Sequence, residues 1–195
     1  MRHYPGEIDC RPQPIPQRNI SRITLEPDPF RNTRVTRPAP ASLLTIFGAT
    51  GDLAQRMLLP SLYGLQSEGL LPAGLRILGT ARSELDREAF ANLVSAAISE
   101  RVPAAERNDA ALHGLLERLD YAAASVDDDA SMQALAAKVS ELRDGDVLYH
   151  LSTAPRFYVP ACHALGAHGA ADAHTRVMLE KPIGKDLASA TAIND

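Results

Sequence analysis

A short apolar run, Leu43-Leu44-Thr45-Ile46-Phe47, passes directly into Gly48-Ala49-Thr50-Gly51-Asp52-Leu53-Ala54, and a helical pattern opens behind it. Strand, glycine turn and helix N-terminus in that order restrict the chain to α/β folds more strongly than any other feature it carries. Glycine at 48 and 51 lets the main chain turn sharply and approach a ligand with no Cβ in the way. The first amides of the helix lack intrahelical acceptors, and the helix dipole favours negative charge beside them. The segment therefore reads as a cradle for the pyrophosphate of a dinucleotide. Its spacing is G-x-x-G-x-x-A rather than G-x-G-x-x-G, and taken alone it also fits an ordinary strand-to-helix turn.

The rest of the chain continues the alternation. After the first strand, Leu43–Phe47, the spacing predicts a helix from Asp52 to Gln66, with Leu53, Met57, Leu58, Leu62 and Leu65 on one face. Pro60 falls inside it and should bend or divide it. A second strand is expected over Leu75–Thr80, then helices over Asp86–Arg101 and Ala104–Leu119, separated by Pro103. A weaker third strand, Asp120–Val126, precedes a helix over Ala130–Leu142. A fourth strand over Asp146–Ser152, a helix over Pro155–Leu165, a fifth strand over Arg176–Leu179 and the opening of a helix over Lys185–Asp195 complete the pattern. Strands and helices alternating in this way predict a Rossmann-like parallel sheet covered by helices on both faces. Because the sequence stops inside the last expected helix, the sheet is expected to be incomplete at its C-terminal end.

Residues 1–40 are of another kind. They hold 8 of the 14 prolines, and 7 arginines against 4 acidic residues. That local surplus of three positive charges, within a chain of net charge −4, leaves −7 on the remainder. Proline at this density blocks helix interiors and sheet ladders, so a disordered leader is expected over 1–40, with the nucleotide-binding domain over 41–195. The negative net charge, the absence of Trp and the 5% aromatic content argue against a nucleic-acid or membrane-surface binder. No signal peptide or span-length apolar run is present, and Cys10 and Cys162 read as reduced thiols, which suits the cytoplasm.

Two further segments carry chemistry. The second strand ends Gly79-Thr80-Ala81-Arg82-Ser83. An acid at such a strand tip accepts the ribose 2′-hydroxyl of NAD, whereas arginine accommodates the 2′-phosphate of NADP. Arg82 supplies a planar fork suited to that phosphate, with Ser83 as a second donor. At the end of the fifth strand stand Glu180-Lys181-Pro182-Ile183-Gly184, where open parallel sheets place ligand groups. A lysine there suits a phosphate or a substrate hydroxyl. The three histidines His163, His168 and His174 fit no usual metal-ligand spacing, and no metal site is expected.

GATGDLA, GTARS, LSTAPRFYVPA and EKPIG, in this order and spacing, closely resemble the coenzyme domain of glucose-6-phosphate dehydrogenase, from about Leu43 to Asp195. The resemblance implies NADP as coenzyme and glucose 6-phosphate as the substrate oxidised to 6-phosphogluconolactone, the entry step of the pentose phosphate pathway. It implies that Gly48, Ala49, Thr50, Gly51, Asp52, Leu53 and Ala54 form the pyrophosphate loop. Arg82 corresponds to the family's 2′-phosphate arginine, and His150 stands where many members have a tyrosine beside the coenzyme. Lys181 corresponds to the lysine between coenzyme and sugar phosphate, and Pro182 to the proline that shapes the coenzyme site.

The sequence also departs from the family. Members continue GDLA with a lysine-rich run such as KRK, and here Gln55-Arg56-Met57 follows, so one substrate contact is expected to be lost. The family's catalytic segment, of the form R-I-D-H-Y-L-G-K, is not in the sequence, and none of His3, His113, His150, His163, His168 and His174 stands in its context. No catalytic residue is therefore assigned, and the 195 residues alone are expected to be inactive. The alternatives are a non-catalytic NADP-binding module working with a partner chain or as a homo-oligomer, and a truncated product without function. A short-chain dehydrogenase would need Tyr-x-x-x-Lys, and a P-loop protein G-x-x-x-x-G-K-[ST]. Neither pattern occurs.

Overall fold

The computed structural model describes residues 39–181, 183, 190 and 191. The leader expected over 1–40 falls outside the described residues except for Ala39 and Pro40, and Pro182, Gly184 and most of the helix expected over Lys185–Asp195 also lie outside them.

Five strands, β1 (Leu43–Phe47), β2 (Arg76–Ala81), β3 (Leu119–Ala123), β4 (Val147–Leu151) and β5 (Thr175–Leu179), form one parallel sheet in the order β3-β2-β1-β4-β5. β1 is central. Its Phe47 is registered with Thr80 on one side and Leu151 on the other. Apart from the exposed Arg76 that opens β2, the residues of β1, β2 and β4 are apolar or buried on both faces, as a sheet sandwiched between helices requires. The helices are α1 (Leu59–Ser67), α2 (Arg87–Arg101), α3 (Asp109–Glu117), α4 (Asp129–Leu142) and α5 (Tyr158–Ala167). Ile46, Ile77 and Tyr121 pack with α1–α3 on one face, while Phe47, Tyr149 and Leu151 pack with α4 and α5 on the other. The chain thus runs outward from β1 to β3 and returns to begin again at β4. The strand order reverses between β1 and β4, and open α/β sheets bind ligands outside the strand C-termini at such a point.

Capping fixes where the helices begin. The side chains of Asp86, Asn108 and Asp128 accept hydrogen bonds from the amides of Ala89 (2.7 Å), Ala111 (3.1 Å) and Ser131 (3.2 Å). The Asn108 cap explains one departure from expectation. In place of one helix over Ala104–Leu119, a single 3₁₀ turn covers Ala104–Glu106 and α3 starts afresh at Asp109. The Asn108 amide donates to the Tyr63 hydroxyl at 2.6 Å instead of continuing a helix. Leu119 passes to β3, which ends at Ala123 where Asp128 N–H closes a turn on the Ser125 carbonyl.

Pro60 bends the register of its helix without dividing it. Residues Ala54–Leu58 form a π turn, and the Leu59 amide bonds to the Ala54 carbonyl, five residues back. Proline offers no N–H to the carbonyl four residues before it, and a widened turn is a known accommodation of such a gap.

Gly79 on β2 is demanded by packing. A Cβ there would lie 2.4 Å from Cζ of Phe90, whose ring is fully buried between α2 and the sheet. Gly79→Ala must push that ring out of its seat, and we expect a loss of about 1–3 kcal/mol. Urea unfolding measures it, and a change within a few tenths of a kcal/mol would show that the ring yields freely.

Candidate functional site

The C-terminal ends of β1, β2, β3 and β4 surround a cleft of about 500 Å³, within the range of small-molecule and cofactor sites. Its wall is built from the glycine turn (Gly48, Thr50, Gly51), the β2 tip (Arg82, Ser83), and the segments that follow β3 and β4.

The turn is shaped by main-chain bonds. The amides of Gly48 and Ala49 both donate to the Thr80 carbonyl, at 2.8 and 3.1 Å, tying the turn to β2. Gly51 N–H closes on the Gly48 carbonyl at 2.8 Å, and the helix proper opens with Gln55 N–H to Gly51 O at 3.1 Å. The amides of residues 52–54 come before that first bond, so the helix itself gives them no acceptor. Gly48 has φ +76°, in the left-handed region, and a Cβ on it would meet the Ser152 carbonyl at 2.5 Å. That carbonyl belongs to the residue just after β4, so Gly48 is where the turn meets the segment leaving β4.

The expected site residues do not all arrive together. Gly48, Thr50, Gly51 and Arg82 line the cleft. Ala49 and Ala54 are fully buried and support the turn from beneath. Asp52 and Leu53 are exposed at the first helical turn, with the Asp52 carboxylate 3.5 Å from Arg56. Arg82 is exposed, and it has no acidic partner among the described residues. Thr153, Ala154 and Phe157 complete the wall, and nothing in their residue types alone singled them out.

His150 and Lys181 stand apart from this cleft. His150 shares a sheet face with its registered neighbours Ile46 and Met178, the face opposite Phe47 and Leu151. It is only 5% exposed, its Nε2 lies 3.0 Å from Glu180 Oε1, and its buried Nδ1 has no partner among the described residues. The Glu180 carbonyl accepts from the Tyr158 hydroxyl at 3.0 Å. Burial raises the Tyr158 phenol above its ordinary range, so it stays a donor at neutral pH. The strand end carrying Lys181 is thus held by α5 through its main chain and by β4 through Glu180. Tyr158→Phe removes one of the two ties, and we expect a loss of about 0.5–1.5 kcal/mol in urea unfolding. No change in midpoint would mean that the bond contributes nothing.

The loose histidine group at 163–174 resolves into separate pairs. His168 Nε2 faces Asp129 at 2.9 Å and His174 Nδ1 faces Asp146 at 3.1 Å. Each joins neighbouring elements at the surface.

The sequence and fold have counterparts among known proteins. The family model described as glucose-6-phosphate dehydrogenase, NAD binding domain, matches residues 45–195. A glucose-6-phosphate 1-dehydrogenase of Zymomonas mobilis is 43% identical over 154 residues, which is 79% of this chain and 32% of that protein. One from Rhizobium meliloti is 34% identical over 150 residues, 77% of this chain and 30% of its own length. The structure of glucose-6-phosphate 1-dehydrogenase from Mycobacterium avium superposes with a TM-score of 0.71 at 32% identity, covering 80% of this chain and 33% of that one. A glucose-6-phosphate dehydrogenase solved with its substrate glucose-6-phosphate gives 0.69 at 29%, covering 82% and 34%. The chain therefore spans about a third of the length of the relatives it matches. Over that third, the parallel sheet and the glycine turn at its switch point are those of a dinucleotide-binding domain, and the chain belongs to the glucose-6-phosphate dehydrogenase family.

Proposed function

We propose that the cleft binds NADP, with the pyrophosphate at the amides of Thr50–Ala54 and the 2′-phosphate on Arg82 and Ser83. One observation carries the choice of NADP over NAD: the β2 tip presents an exposed guanidinium with no acidic partner among the described residues, where an NAD site would present a carboxylate. The residues present fit the coenzyme. Gly48 leaves the main chain bare at the switch point, and the cleft joins the turn to the β2 tip without a break.

In this reading residues 41–195 are the coenzyme part of an oxidoreductase, and 1–40 a leader outside it. The bound nicotinamide would accept hydride in the family's reaction, oxidation of glucose 6-phosphate to 6-phosphogluconolactone, in the cytoplasmic pentose phosphate pathway. The nicotinamide end would leave this cleft across the end of β4, where Lys181 would stand between coenzyme and sugar phosphate and His150, held by Glu180, would border it. No residue of this chain is assigned as the general base, because no histidine in it has the family's catalytic context. A second reading, a binding module acting with a partner chain or a second copy, draws on the exposed apolar side chains of Met57, Val177 and Met178. Co-purification with another polypeptide would support it, and a monomer in sedimentation would remove the second-copy form and count against the other.

Titration calorimetry of the chain with NADP and then NAD tests the proposal. NADP should bind at least about tenfold tighter, the contribution of one charge-assisted contact of some 1.4 kcal/mol. Equal affinities, or tighter NAD, would refute the assignment of Arg82.

A further inference from the structure

Beyond Ala81 the loop that carries Arg82 has little to hold it. The last tie of β2 to β3 is Ala124 N–H to the Ala81 carbonyl at 2.9 Å, and the next fixed point is the Asp86 cap of α2. Between them, across residues 82–85, the one hydrogen bond among the described residues is from the Tyr121 hydroxyl to the Ser83 carbonyl, at 2.7 Å. Tyr121 lies on β3 on the opposite side of the sheet from Thr80, beneath the loop, and is 7% exposed. Its ring is clamped by the fully buried Phe90, with centroids 5.0 Å apart, and Phe90 in turn sits against Gly79. Packed in this way, the ring holds its hydroxyl under the loop.

We propose that Tyr121 is a positioning residue for coenzyme discrimination: through the Ser83 carbonyl it sets the main chain from which Arg82 and Ser83 reach the 2′-phosphate. This rests on the assignment of Arg82 to that phosphate. Both 2′-phosphate donors lie on the stretch that Tyr121 anchors, and fixing donors before the ligand arrives lowers the ordering cost of binding. Burial, and secondarily the negative charge of Glu84, raise the phenol above its ordinary range, so it remains a donor through neutral and mildly alkaline pH. The pair Gly79–Phe90 serves the same end. A larger residue at 79 would displace the ring that holds Tyr121 in place.

Calorimetric titration of wild type, Tyr121→Phe, Arg82→Ala and the double variant with NADP and NAD tests this. Tyr121→Phe keeps the ring and loses only the hydroxyl. It should weaken NADP binding about three- to tenfold, the value of one neutral hydrogen bond, and leave NAD within about twofold. In the Arg82→Ala background the same change should cost clearly less, because only the weaker Ser83 donor is left for it to misplace. A wild-type preference for NADP that Arg82→Ala abolishes and Tyr121→Phe leaves intact would overturn the role of Tyr121 alone. Equal weakening of both nucleotides by Tyr121→Phe would reduce it to a structural residue and overturn the proposal too. No NADP preference in wild type would overturn the Arg82 assignment, and this inference with it.

Discussion

Replacing Arg82 by alanine is expected to weaken NADP binding by about ten- to a hundredfold and to leave NAD binding nearly unchanged. A hydrogen bond to an ionised group contributes roughly 1.5–3 kcal/mol, and a guanidinium fork can make two such bonds to one phosphate. NAD lacks the 2′-phosphate, so the same substitution removes nothing it uses. Arg82 is exposed and makes no ion pair among the described residues, so its loss should not disturb the fold. Arg82→Lys should recover only part of the loss, because an ammonium cannot present the fork. Calorimetry on the three proteins reads this directly, and parallel losses for NADP and NAD would place the arginine outside the 2′-phosphate contact.

Gly48→Ala should have an effect at least as large, on both fold and binding. The residue sits at φ +76°, and its new Cβ would fall 2.5 Å from the Ser152 carbonyl and 3.1 Å from Thr153 Cγ2. The left-handed conformation alone costs a residue with a Cβ about 1–2 kcal/mol. A backbone carbonyl cannot step aside as a side chain does, so either the turn or the end of β4 must move, and the total should reach about 2–4 kcal/mol. Moving the turn also breaks its two bonds to the Thr80 carbonyl, and nucleotide binding should be lost with them. Gly69 supplies the control. It has φ +68° but no described residue within 4 Å of its would-be Cβ, so Gly69→Ala should cost only the conformational part and bind normally. Equal costs at the two positions would mean that the contact with Ser152 is unimportant.

The fold was legible wherever a local signal and a tertiary one agreed. β1 follows from Leu43–Phe47 alone because a buried central strand is apolar on both faces. The start of α2 is legible from Asp86, which caps it in the ordinary way, whereas α4 begins at Asp129, one residue ahead of the expected Ala130, because Asp128 caps it. The failure over Ala104–Leu119 came from a tertiary contact. Asn108 is a weak helix residue, and the Tyr63 hydroxyl from α1 decides what its amide does. The widened turn before Pro60 was half legible: proline announced a disturbance, but whether the helix breaks or absorbs it depends on packing of α1.

The site divides in the same manner. The glycine turn and Arg82 could be read from residue type and order, and both line the cleft. His150 and Lys181 are implied only by the resemblance, and neither lines the cleft: His150 pairs with Glu180 on the opposite sheet face, and Lys181 follows Glu180 just past the end of β5. Tyr121 and Phe90 could not be read as part of a site at all. Each looks like an ordinary core aromatic until the Ser83 carbonyl is seen above the hydroxyl.

The most direct test of the dinucleotide site is a titration of the isotopically labelled chain with NADP, following backbone amides by NMR. We predict saturable changes concentrated at residues 50–54 and at Arg82 and Ser83, on the two sides of one cleft, while α3 and the N-terminal ends of the strands stay still. Changes confined to other surfaces, or none up to about 1 mM nucleotide, the upper end of ordinary KM values, would contradict the assignment of the glycine turn as the pyrophosphate cradle.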